Sequence, residues 1–249
     1  MPPEKLAATT RPPIAAVLLD VGGTLWPDGW PWLPEDHQVR VERMRRALPD
    51  LDPQIIPALL HDLDVSAAAI TESLEQNVHR YVGDPLRRHG VDPTAERISA
   101  VVEAMWLPAH PLVGLLPGAP ELLRAVRRAG LRSVVLSNSY WRSNAGYQRD
   151  FQDLGVDGEV DAYVSSLDVG YRKPHPAMFE AGLRAAGVAA DRCAMVGNSE
   201  DKDVRPAKAL GLRTIRVAIE EPLPATTQAD AVTTSLDEVA RLLTSWTGE

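Results

Sequence analysis

The 249-residue chain has one cysteine, no apolar stretch long enough to cross a bilayer, and fewer basic than acidic side chains: 26 lysines and arginines against 34 aspartates and glutamates, a formal net charge of -8. Each shortage excludes something. Cys193 has no partner for an internal disulfide, so the chain shows no need of an oxidising compartment. Its place in the apolar run "CAMV" predicts a buried strand residue and not a nucleophile. The opening "MPPEKLAATTRPP" lacks the apolar core of a signal peptide, which predicts a cytoplasmic protein, and its prolines read as a flexible N-terminal arm over residues 1–13. A negative long-range field repels phosphate polymers and anionic lipid, so neither nucleic acid nor a membrane is an expected partner. An anionic substrate must then be small and held by a local cluster of cations and backbone N–H groups. His37, His61, His79 and His89 show no metal-ligand spacing.

What is present is the composition of an ordinary globular protein, 45% hydrophobic and 24% charged. "IAAVLL", Ile14 to Leu19, is a continuous apolar run suited to a strand buried on both faces. From about Asp36 to Trp106 the pattern turns to charged, helix-period segments broken by proline and glycine, which reads as an inserted helical module. Strand and helix then alternate. Pro120 suits a helix start, Leu122, Leu123 and Val126 form its apolar face, Gly130 suits its stop, and "SVVL" follows as a strand. "PAMFEAGLRAAG" with "CAMVG", and "DVRPAKALG" with "RTIRV", repeat the unit, and Ser235 with Glu238 has the spacing of a capping box opening a last helix through Trp246. The expectation is an α/β fold: a Rossmann-like open parallel sheet over residues 14–27 and 112–249, with an α-helical cap domain inserted at 28–111.

In such sheets ligands sit beyond the carboxyl ends of the strands, so the residues just after each apolar run carry the functional information. After the first run stands Asp20, followed by Gly22, Gly23 and Thr24. After "SVVL" come Ser137 and Asn138, donors suited to a phosphate oxygen. Lys173 precedes Pro174 at the edge of a helix, whose N-terminus favours a nearby anion, and His175 belongs to the same loop. "MVGNSEDKDV" runs into Asn198 and three acids, Glu200, Asp201 and Asp203, which read either as a dipole-stabilised helix start or as ligands for a hard divalent cation.

Four stations in this order, "DVGGTL", "LSNS", "RKPHPAMF" and "GNSEDKDV", resemble the haloacid dehalogenase superfamily of aspartate-nucleophile hydrolases, over the chain from about Ile14 to Trp246. The resemblance implies that Asp20 attacks phosphorus and carries a transient aspartyl phosphate, that Ser137 binds a phosphoryl oxygen, and that Lys173 offsets the charge of both. It further implies Mg²⁺ held by Asp20, the Gly22 carbonyl, Asn198 and Asp203, with Gly23, Thr24, Asn138 and Arg142 as candidate contacts to the phosphoryl group of a small phosphorylated substrate. The insert would close over the site.

Two positions depart from the phosphatase pattern. Gly22 stands where such enzymes carry a second aspartate that protonates the leaving oxygen, and Asp28 in "PDGW" is the nearest spare acid. Asn198 stands where an aspartate ligand is usual. Three readings follow: a Mg²⁺-dependent phosphatase, a metal-independent 2-haloacid dehalogenase, and a binding or regulatory protein with impaired catalysis. The acidic run after Asn198 argues against the second. Trp26, Trp30, Trp32 and Trp141 read as packing between cap and core.

Overall fold

The computed structural model describes residues 11–29, 34–70, 74–108 and 114–248. Trp30 and Trp32, residues 1–10 of the expected arm, and one end of each linker between insert and core lie outside them. Among the described residues six parallel strands form one sheet: β1 (Ala16–Leu19), β2 (Arg132–Ser137), β3 (Ala162–Ser165), β4 (Cys193–Gly197), β5 (Arg213–Val217) and β6 (Ala231–Thr233), in the order β3-β2-β1-β4-β5-β6. The α/β parallel-sheet expectation is met. The first apolar run becomes the central strand because it is buried on both faces, and period-two alternation divides it. Val17 and Leu19 join the cluster of α6 (Ala119–Arg128), α7 (Asn144–Asp153) and α11 (Leu236–Ser245) on one face. Ala16 and Leu18 join that of α9 (Pro176–Ala186) and α10 (Arg205–Ala209) on the other.

Leu122, Leu123 and Val126 are the buried face of α6, as their spacing predicts. Cys193 is fully buried in β4, and burial pushes its thiol up to about 12, so it stays protonated and unreactive. Two details differ from expectation. Ser235 precedes α11 but makes no side-chain cap, and the reciprocal bond is replaced too: the Ser235 N–H donates to the Thr233 hydroxyl oxygen at 3.0 Å, and that hydroxyl donates to the Glu238 carboxylate at 2.6 Å. Residues 11–13 of the expected flexible arm are tied down: Arg213 donates to the carbonyls of Arg11 and Pro12, and Arg11 pairs with Asp230.

The insert supplies α1 (Pro34–Ala47), α2 (Ile56–Ala69), α3 (Val78–Tyr81), α4 (Gly83–Arg88) and α5 (Ala95–Met105). They bury a hydrophobic cluster of their own, with Met44, Leu59, Leu63, Tyr81, Leu86 and Met105 fully or almost fully enclosed. Tyr140, Trp141 and Leu167 pack against this cluster from the sheet side. Polar contacts join the two parts: the Tyr81 hydroxyl donates to the Tyr140 carbonyl at 2.8 Å, and the Gln76 amide donates to the Ser139 carbonyl at 2.7 Å. The loop holding Asp28 stays with the sheet, since its N–H donates to the Glu220 carboxylate at 2.7 Å. No helix among the described residues is long and apolar enough to cross a membrane.

Candidate active site

β2, β1 and β4 are neighbours whose carboxyl ends finish side by side, which brings three of the four sequence stations together. Asp20 follows β1 and its N–H donates to Val196 in β4 at 2.9 Å; Ser137 ends β2; Gly197 ends β4. The fourth station reaches across from the loop before α9. Lys173, 3% exposed, extends its ammonium under the strand ends and uses all three protons: to Asp20 Oδ1 at 2.7 Å, to Asp203 Oδ1 at 2.7 Å and to the Leu136 carbonyl at 2.9 Å. Burial disfavours that charge, but the two carboxylates outweigh it and hold the Lys173 pKa above its ordinary value. Burial pushes Asp203 the other way, up to about 6, against the attraction of Lys173.

Asp203 lies in a widened helical turn, Glu200–Val204, in which the N–H groups of Asp203 and Val204 both reach the Ser199 carbonyl. Its second oxygen accepts from the Ser199 N–H at 3.0 Å. The close approach needs glycine at 197, where an added Cβ would lie 2.5 Å from the Asp203 carboxyl carbon. Gly197→Ala is therefore expected to displace Asp203 and to lower stability by about 1–3 kcal/mol, measurable as a fall in Tm accompanied by weaker activity. Gly23 is required for two reasons: its φ is +69°, and a Cβ there would strike the Asn198 amide.

Other expected residues are placed with different attachments. Thr24 is wholly buried and its hydroxyl donates to Asp20 Oδ2 at 3.3 Å, so it orients the carboxylate and does not face the cavity. The Asn138 amide clamps the Lys173 backbone, donating to its carbonyl at 3.0 Å and accepting its N–H at 2.7 Å. Arg142 pairs with buried Asp150, donates to the Leu107 carbonyl at 2.8 Å and stacks over Trp26, an attachment that satisfies its charge internally. Glu200 is taken up by Arg216, Thr227 and Gln228, and Asp201 by Arg205, so of the three acids after Asn198 only Asp203 joins Asp20 and Lys173. That pairing also removes most of the force of the acidic run as an argument against a haloacid substrate. His175 caps α9 and stacks on Tyr171.

Sequence reading missed Tyr147 and Arg172. The fully buried Tyr147 hydroxyl donates to Ser137 Oγ at 2.7 Å, and burial raises its pKa and keeps the proton on it. Ser137 is left with its own O–H to offer the cavity. Arg172 stacks over Tyr140 at 4.3 Å and lines the same space. Its position beside Lys173 was the one available signal.

Two chambers that share Gly22, Asp28, Ser137 and Asn138 in their linings lie over these residues. The first, about 460 Å³, is lined by Asp20, Ser137, Lys173, Asn198 and Asp203, with six carboxylates around it against four cations. The second, about 370 Å³, lies toward the insert between Trp26, Met105, Trp106, Tyr140 and Trp141. Asp20, Gly22, Asn198 and Asp203, the residues expected to hold a metal, all line the first chamber, and carboxylate and amide oxygens are donors of the kind a small hard divalent cation takes. Among the described residues no three Asp, Glu, His or Cys side chains are grouped so that they could hold a metal ion, so water would have to supply much of any shell.

Residues 14–211 match the family model described as haloacid dehalogenase-like hydrolase. The chain is 26% identical over 215 residues to the glyceraldehyde 3-phosphate phosphatase of Methanopyrus kandleri, covering 82% of this chain and 84% of that protein. It is 36% identical over 104 residues to the phosphoserine phosphatase of Thermus thermophilus, covering 41% of this chain and 40% of that one. A 2-haloacid dehalogenase from Pseudomonas syringae pv. Tomato DC3000 shares the fold with a TM-score of 0.62 at 20% identity, covering 94% of this chain and 99% of that one.

Proposed function

The chain belongs to the haloacid dehalogenase-like hydrolases, and from that membership we propose that it is a Mg²⁺-dependent phosphatase of a small phosphorylated metabolite, acting through an aspartyl phosphate on Asp20. The observation that carries this reading is the Lys173 ammonium saturated by Asp20, Asp203 and a strand carbonyl at the floor of an oxygen-lined chamber. Such a floor holds an anionic nucleophile in place while cancelling the charge that would repel an incoming phosphate. The phosphatase names of two relatives favour the same substrate class.

In this reading Thr24 and Lys173 fix the Asp20 carboxylate, one on each oxygen. The substrate phosphoryl group enters the first chamber, where Ser137 donates its O–H to a non-bridging oxygen while Tyr147 orients the hydroxyl. An Asp20 oxygen bonds to phosphorus as the ester bond breaks, and water then releases phosphate and restores the carboxylate. Asp20, the Gly22 carbonyl, Asn198 and Asp203 would hold Mg²⁺, which when bound neutralises phosphoryl charge. Phosphoryl transfer is largely positioning and charge neutralisation, which these side chains suit.

Gly22 and Asn198 favour one second reading, a metal-independent dehalogenase. A panel of phosphorylated metabolites and 2-haloacids, assayed for phosphate and halide release with Mg²⁺ and with EDTA, separates the two. Phosphate release that EDTA suppresses and Mg²⁺ restores, with inhibition by beryllium fluoride, is expected. Halide release at full rate in EDTA would replace the proposal with the dehalogenase. Turnover of neither class would leave a binding protein.

A further inference from the structure

Gly22 leaves the leaving-group oxygen without a proton donor at the position where a phosphatase reading needs one. A Cβ built on Gly22 points at a group already there: it would lie 3.4 Å from Asp28 Oδ1. The backbone at Gly22 is not in the left-handed region, so its side-chain direction is one an ordinary residue would take. The space into which a side chain at 22 would project is thus occupied by a carboxylate from six residues further along the chain.

The surroundings of Asp28 fit that of a proton carrier. Its loop is anchored by its own N–H on Glu220 and by the Gly29 N–H on Oδ1 at 3.0 Å. No cation pairs with its carboxylate among the described residues, in contrast to Asp20, Asp201, Asp203 and Glu200. The residue is exposed, so water reaches it.

A second observation is independent of the first. Asp28 lines both chambers, the polar one above Asp20 and Lys173 and the aromatic one toward the insert. With the phosphoryl group in the first and the rest of the substrate in the second, the bond that breaks spans their junction, and Asp28 is at that junction.

We propose that Asp28 is the general acid and base of this enzyme, replacing the acid that Gly22 lacks. The inference rests on the phosphatase reading. As the Asp20–phosphorus bond forms and the ester bond breaks, the Asp28 carboxylic acid gives its proton to the departing oxygen, which leaves as a neutral alcohol. The Asp28 carboxylate then takes a proton from water as the water oxygen bonds to phosphorus and the Asp20–phosphorus bond breaks. Phosphate and the restored Asp20 carboxylate result, and Asp28 ends protonated as it began.

The test is single-turnover release of the leaving group, in Mg²⁺, from a series of phosphate monoesters running from nitrophenyl to simple alkyl. General acid help is worth about 10²- to 10⁴-fold and matters most when the departing oxygen is strongly basic. Asp28→Asn is expected to slow release from alkyl esters by that factor and from nitrophenyl phosphate by far less, steepening the dependence on leaving-group basicity. Equal slowing across the series, or none, would overturn the assignment. Asp28→Ser, read on the same ester series, decides the matter should Asp28→Asn prove poorly folded by its thermal melt: the same steepening is expected, and an unchanged slope would overturn the assignment. If the wild-type protein releases phosphate from no ester in the series, the phosphatase reading itself falls, an outcome distinct from an unchanged slope in an active enzyme.

Discussion

Asp20→Asn is expected to abolish turnover, by roughly 10⁶-fold where removal of a nucleophile is complete, with little change in Tm. An amide of the same shape has no anionic oxygen to attack phosphorus, so no aspartyl phosphate forms. The fold should tolerate the change because Lys173 keeps Asp203 and the Leu136 carbonyl, and the amide can turn its oxygen to Lys173 and donate its NH2 to the Thr24 hydroxyl oxygen. Acid-quenched protein after exposure to substrate should carry phosphate in the wild type and none in the variant. Turnover persisting in a variant shown by mass to be free of aspartate at position 20 would remove Asp20 from its role.

Lys173→Met should damage stability as well as activity. It removes the one cation between two enclosed carboxylates, and breaking a buried pair from one side costs about 3–5 kcal/mol, a fall of roughly 10 °C in Tm for a chain of this size. The loss should depend on pH. A buried carboxyl has a folded-state pKa above its unfolded value, as Asp203 does even with Lys173 beside it. Such a group favours the folded state at low pH, and that advantage is lost as pH rises from about 4 through the folded pKa. Lys173 itself, held above its ordinary pKa, stays charged throughout this range. The Tm gap between wild type and variant, measured in EDTA, should therefore widen from pH 4.5 to pH 8, while the phosphorylation rate falls roughly 10³-fold from lost electrostatic support. A gap independent of pH would mean that Lys173 acts by packing alone.

Much of the sheet was legible in the sequence because its central strands are buried on both faces and so read as unbroken apolar runs. "IAAVLL", "SVVL" and "CAMVG" each became a strand on that ground, and "RTIRV", with two half-buried arginines, on its place after a helix in the repeated unit. β3 and β6, at the two edges, were not legible: "AYVS" and "AVT" are short and only partly buried, so nothing in their composition separates them from loop. The capping box of Ser235 and Glu238 failed for a related reason. Spacing makes the reciprocal bonds available, but the Thr233 hydroxyl at the end of a neighbouring strand competes for the carboxylate.

The sequence by itself determined the α/β class, the strand ends at which chemistry sits, and the identity of Asp20, Ser137 and Lys173 as groups worth placing there, because these depend on local pattern and on which residue follows which strand. Tertiary structure alone decided how those groups divide the work. Lys173 meets Asp20 across 153 positions, and a second carboxylate, Asp203, joins them, while Glu200 and Asp201 beside it are drawn off to arginines. Thr24, Asn138 and Arg142 have the chemistry to touch a phosphoryl group, yet each is attached instead to a protein group that packing brings near. Which of several suitable polar groups faces a cavity depends on contacts between segments far apart in the chain. The Asp28 carboxylate in front of Gly22 is such a contact, set by a loop anchored on Glu220 from beyond the fifth strand.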